Sequence, residues 1–391
     1  MLRWRQFAAA VLAAWIIYFA AERWLIASVQ IDPRYAHAGV SASVAAWIFR
    51  EAMGVTTLLA CALFAAYCRR IWLRRVTEEH LMFFAATGIC SLAIVFTLFY
   101  QGVEPAFYQL MPLIEHPQTD PVVGHRLLFV WPAQILHHLY PSLTSKSLLI
   151  LSQVPAALFT SIMVGLWSAV FVGRRLAFLG QCIMLVFLIP TISYYNFYDI
   201  AIVGFYAATL LAVIRNRFWL TVPLIALATL NHENAMLLIP AVGFAAQLFW
   251  PYRKAFALVG AALCAHIAVR LILWHFMPMP SSADVRFYSN AIMLLKPSLP
   301  FLVGVAFLAF RWLCALLGWK SAPPALKRMA LIWPLLFLVT LAFGQFNEIR
   351  QFDADIPLAV GLLLVYVKRS FGLLDVSVGN QSTPAQFGEA R

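Results

Sequence analysis

The sequence predicts an all-α protein, a polytopic transmembrane helical bundle of about 12 spans (about 10–13 by length) with both termini cytoplasmic. Three observations predict it. The chain is 63% hydrophobic and only 11% charged, with mean hydropathy +0.83, whereas a soluble domain carries roughly 25% charged residues. Apolar stretches near the length needed to cross a bilayer recur from end to end. The Lys/Arg clusters fall on alternate connections between those stretches.

The stretches lie at residues 7–27, 43–67, 82–101, 147–172, 176–193, 198–214, 218–232, 235–250, 255–276, 299–318, 329–346 and 356–367. The first follows Arg3 and Arg5 and is read as an uncleaved span, because further apolar segments follow it in place of a polar mature chain. Arg69, Arg70, Arg74 and Arg75 come after the second. Further pairs or triplets follow the fourth (Arg174, Arg175), sixth (Arg215, Arg217), eighth (Arg253, Lys254), tenth (Lys320, Lys327, Arg328) and twelfth (Lys368, Arg369). With Arg391, 18 of the 28 basic residues share one side. The positive-inside rule makes that side cytoplasmic.

Ten carboxylates fall on the opposite side, among them Asp32, Asp120, Asp199, Glu233, Glu348, Asp353 and Asp355. Acidic residues contribute little to topology, so this sorting points to a functional outer face. Residues 1–373 form one transmembrane domain with a long outer loop at 102–146. Residues 374–391, rich in Gly, Ser, Gln and Pro, read as a disordered cytoplasmic tail. The net charge of +12 is topological loop charge, and no nucleic-acid partner is expected. The six cysteines form no CxxC pair and read as small core residues.

Four outer segments carry the chemistry. Asp120, His125 and Arg126 precede an apolar stretch at 127–140 whose spacing suits a helix lying in the membrane interface. The alternative is a solvated loop with an acid-paired arginine. Asn231, His232, Glu233 and Asn234 interrupt the apolar run between Arg217 and Arg253, so they form the tip of a helix hairpin. That tip is either a plain turn or a site facing a cavity. His232-Glu233 lacks the second histidine of a zinc-protease helix. Residues 343–358 combine Glu348, Arg350, Asp353 and Asp355, as an anion site or an internal ion-pair cluster. Asp199 opens a span after a run of tyrosines, where it caps the helix or faces a cavity. Arg270 and Arg311 fall inside spans nine and ten, where either could be a buried partner of one of the acids.

The segments DPxxxHRLLxxWPA (120–133), YYNFYD (194–199), LxTLNHExAxLLIP (227–240) and NEIRxFxxxIPL (347–358) resemble those of bacterial polytopic membrane proteins related to GT-C-fold glycosyltransferases and polysaccharide polymerases. His232-Glu233-Asn234 stands where that group carries Arg-Glu-Thr. The resemblance implies a GT-C-like bundle in a bacterial inner (cell) membrane. It also implies transfer of a polyprenyl-phosphate-linked sugar on the periplasmic face, with membrane lipid as the surroundings. Asp32, Asp120 and Glu233 are then the candidate catalytic bases. The candidates for holding substrate and its phosphate are His125, Arg126, Asp199, Asn231, His232, Glu348 and Arg350. No metal site is read from the sequence. A divalent cation between carboxylates and phosphate suits the chemistry, but no ligand spacing demands one. A multi-pass transporter or flippase and a non-catalytic assembly subunit are the competing functions.

Overall fold

The computed structural model describes residues 78–101, 126–143, 145–192, 199–276, 287–297, 299–343 and 349–371. The expected spans at 7–27 and 43–67, the tail at 374–391, and Asp32, Asp120, His125 and Glu348 lie outside the described residues. Among the described residues the structure is helical, with no strand.

The helices follow the apolar stretches. They are α1 (Glu78–Gln101), α2 (Leu127–Leu139), α3 (Ser145–Val172), α4 (Phe178–Leu188), α5 (Asp199–Ile214), α6 (Thr221–Thr229), α7 (Leu238–Ala246) and α8 (Tyr252–Phe276). Then come α9 (Phe287–Leu295), α10 (Leu299–Leu317), α11 (Pro324–Met329), α12 (Ile332–Phe343) and α13 (Ile356–Ser370). Two 3-10 segments matter for the site: Glu233–Leu237 ahead of α7 and Ile349–Asp355 ahead of α13. Among the described residues, four helical stretches are long and apolar enough to cross a membrane: Leu151–Val172, Arg174–Thr191, Tyr252–Phe276 and Pro324–Ala342. Other apolar helices, such as Asp199–Ile214 and Phe301–Leu317, are shorter.

The stretch at 127–140 forms the expected amphipathic helix. Leu127, Val130 and Ala133 of α2 are buried, while Trp131, Ile135 and Leu139 are exposed. A three-and-four spacing puts the first set on one face and the second on another.

Helix α3 is the centre of the bundle and packs on α1, α2, α4, α5 and α13. Buried polar side chains tie it to its neighbours, because each must find a partner once out of water. The Trp167 indole N–H donates to the Pro357 carbonyl of α13 at 2.7 Å. The Thr160 hydroxyl donates to the Ile200 carbonyl in the first turn of α5 at 2.7 Å. Gln181 of α4 donates to the Thr87 hydroxyl and the Ser161 carbonyl at 2.8 and 2.9 Å. Gly318, at the end of α10, lets that chain meet α13 backbone to backbone. A methyl group there overlaps the Leu362 carbonyl oxygen.

The basic connections gather at one end of the bundle. Arg369 donates to the Ser321 hydroxyl. Phe218 lies 4.5 Å from the Trp250 ring, and the Lys254 ammonium sits 4.7 Å above it.

Candidate functional site

At the opposite end, four segments distant in sequence bring their polar side chains together. Arg126 precedes α2, Asp199 begins α5, His232 and Glu233 form the turn between α6 and α7, and Arg350 lies in the 3-10 segment before α13. Helix α6 is short because Leu230 and Asn231 close it with tight turns onto Ala226, Leu227 and Ala228 carbonyls. The chain reverses there, and His232 adopts an extended conformation. Tyr206 of α5 pins the turn, since its hydroxyl donates to the Asn234 carbonyl at 2.7 Å.

Asp199 is the hub. Its Oδ1 lies 3.1 Å from His232 Nε2 and 4.0 Å from Arg126 Nη1, and its Oδ2 lies 3.7 Å from Arg350 Nη1. Its place in the first turn of α5 adds the favourable field of a helix N-terminus to these cations. Arg126 turns its other amino group to Glu233 Oε1 at 3.3 Å. Asp199, Arg126 and His232 have 6–7% of their side-chain surface exposed and Arg350 has 16%, whereas Glu233 keeps 47%.

The histidine's proton can be placed. The Asn234 backbone N–H donates to His232 Nδ1 at 3.0 Å. Nδ1 is therefore the bare nitrogen, and Nε2 carries the ring proton toward Asp199.

Glu233 keeps its surface but not its basicity. Burial pushes its carboxyl up, while Arg126, its own backbone N–H and Arg270 pull it down, to below the ordinary carboxylate value. A carboxylate that acidic is a weak proton acceptor while its partners hold it.

Asp199 starts a 16-residue helix that ends at Ile214, about 24 Å at 1.5 Å per residue. A hydrocarbon core is about 30 Å thick. Polar groups at that level face protein or a water-filled recess.

A second cluster adjoins the first. Arg311, buried in α10, lies 3.4 Å from Asp353 Oδ1 and 3.1 Å from Asp355 Oδ1, and donates to the Phe352 carbonyl at 2.9 Å. The Trp312 indole N–H donates to Asp355 Oδ2 at 2.6 Å. Asp353 Oδ2 and the Leu188 carbonyl both sit 2.6 Å from the Thr191 hydroxyl oxygen. That hydroxyl has one proton and cannot donate fully to two acceptors. The arrangement is satisfied when Asp353 is protonated and donates to Thr191, which donates to Leu188. Arg311 and Asp355 then balance in charge, leaving no net charge buried.

Of the sequence candidates, Arg126, Asp199, His232, Glu233 and Arg350 converge. Asn231 is buried beside them, with its backbone N–H on the Ala228 carbonyl. Arg311 finds the acids that its burial demands. Thr191, Tyr206 and Trp312 were not singled out in the sequence. Nothing in a Thr after a Pro, or a Tyr or Trp within an apolar run, marks a polar role.

Among the described residues no group of three or more His, Cys, Asp or Glu is arranged to hold a metal ion. Asp199 and Glu233 are engaged by guanidinium groups and an imidazole N–H. The described residues therefore do not fit a divalent cation, and no step below runs through one. Comparison with protein-family models, curated proteins and solved structures gives no match.

Proposed function

We propose that the chain is an integral membrane glycosyltransferase or polymerase-like protein. It uses a polyprenyl-phosphate-linked sugar on the periplasmic face, in cell-surface polysaccharide or glycolipid assembly. In this reading it has about twelve spans in a GT-C-like arrangement, with the basic end cytoplasmic. One observation carries the reading: Arg126 and Arg350 are held on Asp199 at the non-basic end, beside the half-exposed Glu233.

Guanidinium groups match phosphate oxygens in pairs, and a buried pair stabilises the charge that develops on a leaving phosphate. A donor phosphate that takes Arg126 leaves Glu233 without its nearest cation. The carboxylate becomes more basic and takes the proton of an acceptor hydroxyl. That oxygen then bonds to the anomeric carbon as the carbon–oxygen bond to phosphate breaks. The lipid phosphate leaves with the electron pair, held by the two arginines.

A transporter or flippase for a lipid-linked saccharide or small solute is the second reading. The buried Arg311, Asp353 and Asp355 favour it, because ionisable residues at membrane depth often mark transport pathways. Lipid-linked saccharides from cells lacking the protein separate the two. Accumulation on the outer leaflet, uncorrected by Arg350→Gln, supports transfer. Accumulation confined to the inner leaflet supports a flippase. No accumulation, with loss of a transported solute, overturns the transfer reading.

A further inference from the structure

Among the described residues, one cation near the site forms no ion pair with an acid. The buried residues of α8 are Ala255, Leu258, Ala262, His266 and Leu273, a seam of three-and-four spacing. Arg270 stands on that seam, four residues after His266 and three before Leu273. Its half-buried side chain therefore faces α6 and the Glu233–Leu237 turn, on which α8 packs. Its charge acts on Glu233 and on His266. Among the described residues it nonetheless makes no hydrogen bond or ion pair.

The neighbouring histidine does not relieve it. His266 Nδ1 lies 2.9 Å from the Thr229 hydroxyl, whose own proton goes to the Ile225 carbonyl. Arg270 is about 24 Å from Lys254 along α8 at 1.5 Å per residue, the same level as Asp199. An unpaired guanidinium inside a bilayer is costly unless something binds it. The surface around it is open and apolar, with Ile267 and Leu271 exposed on α8 and Met236 on the turn.

We propose that Arg270, with Arg126 across Glu233, binds a phosphate group carried on a hydrocarbon chain that reaches the recess from the bilayer along α8. The guanidinium supplies paired N–H donors to the phosphate oxygens, and Ile267, Leu271 and Met236 border the chain. The proposal rests on the reading of the recess as a lipid-phosphate site and needs no transfer reaction. Free phosphate shares the headgroup chemistry but makes no use of the apolar border.

The test uses the full chain in phosphatidylcholine nanodiscs, titrated with farnesyl phosphate, farnesol and inorganic phosphate, with tryptophan fluorescence as readout. Farnesyl phosphate is expected to bind wild type at least ten-fold more tightly than either of the others. Arg270→Gln weakens farnesyl phosphate binding at least ten-fold, and Arg270→Lys weakens it less. Ligand-free Arg270→Gln melts close to wild type, because it loses only the attraction to Glu233 across space and no hydrogen bond or ion pair. Equal binding by wild type and Arg270→Gln overturns the proposal. So does a ligand-free melting point for that variant as far below wild type as that of Arg311→Met, which marks a structural role. Inorganic phosphate binding as tightly as farnesyl phosphate overturns the lipid source. Failure of wild type to bind farnesyl phosphate overturns this proposal alone and leaves transfer to the saccharide assay. Intact binding with unchanged lipid-linked saccharides overturns transfer alone.

Discussion

Replacing Arg311 by Met probes the buried charge balance directly. Arg311 and Asp355 are both fully buried, and Met keeps most of the arginine stem's volume while removing its charge. The orphaned Asp355 either stays ionised or takes a proton. Breaking one partner of a buried pair costs about 3–5 kcal/mol. Protonating an aspartate with an ordinary value near 3.9 at pH 7 costs about 4 kcal/mol, at 1.36 kcal/mol per unit. The two routes agree, so Arg311→Met should lose about 4 kcal/mol at pH 7. The protonation route shrinks to about 1.5 kcal/mol at pH 5.

The double variant Arg311→Met/Asp355→Asn removes both charges, and the new side-chain amide oxygen still accepts the Trp312 N–H. It should recover to within about 1–2 kcal/mol of wild type, the remainder being the Phe352 carbonyl left without its donor. Unfolding in SDS, followed by tryptophan fluorescence at the two pH values, measures all three proteins. A loss below about 1 kcal/mol for Arg311→Met would refute the buried pair. A double variant as unstable as Arg311→Met would show that Asp353 carries the charge and would refute its assignment as protonated.

Two glycines should respond with opposite sign. Gly318→Ala meets the Leu362 carbonyl at an ordinary helical φ of −81°, so close approach alone should lower stability by about 1–3 kcal/mol. Gly88→Ala in α1 meets nothing within 4 Å and should gain about 0.5–1 kcal/mol from helix propensity. The same unfolding assay reads both. Glu233 should behave as an acid lowered below its ordinary 4.5. A lowered carboxyl contributes stability that is present above its unfolded value and lost as pH falls through the folded value. The melting difference between wild type and Glu233→Gln should stay flat from about pH 8 to 5 and close only in stronger acid. Closure above pH 5 would contradict the Arg126 pairing.

Much of the described helical pattern was legible because lipid burial leaves long apolar runs bounded by charge. Helix α3 at Ser145–Val172 and α5 at Asp199–Ile214 lie within a few residues of the stretches expected at 147–172 and 198–214. The hairpin tip was legible too, because basic ends at Arg217 and Arg253 force Asn231–Asn234 to the far side. What could not be read was which charges meet. Arg126 reaches Glu233 across 107 residues, and Arg311 reaches Asp353 across 42. Hydropathy orders the helices along the membrane normal and says nothing of their neighbours.

The central claim is that Arg126, Asp199, His232, Glu233 and Arg350 form one recess opening opposite the basic end, on the non-cytoplasmic side. A cysteine-free variant carrying a single cysteine in place of Asn234 or of Asn216 tests it with a membrane-impermeant thiol reagent on intact spheroplasts. The account predicts labelling of the cysteine at position 234 from outside, blocked by a change that fills the recess. It predicts labelling of the cysteine at position 216 only after the membrane is opened. Labelling of both from the same side would contradict it.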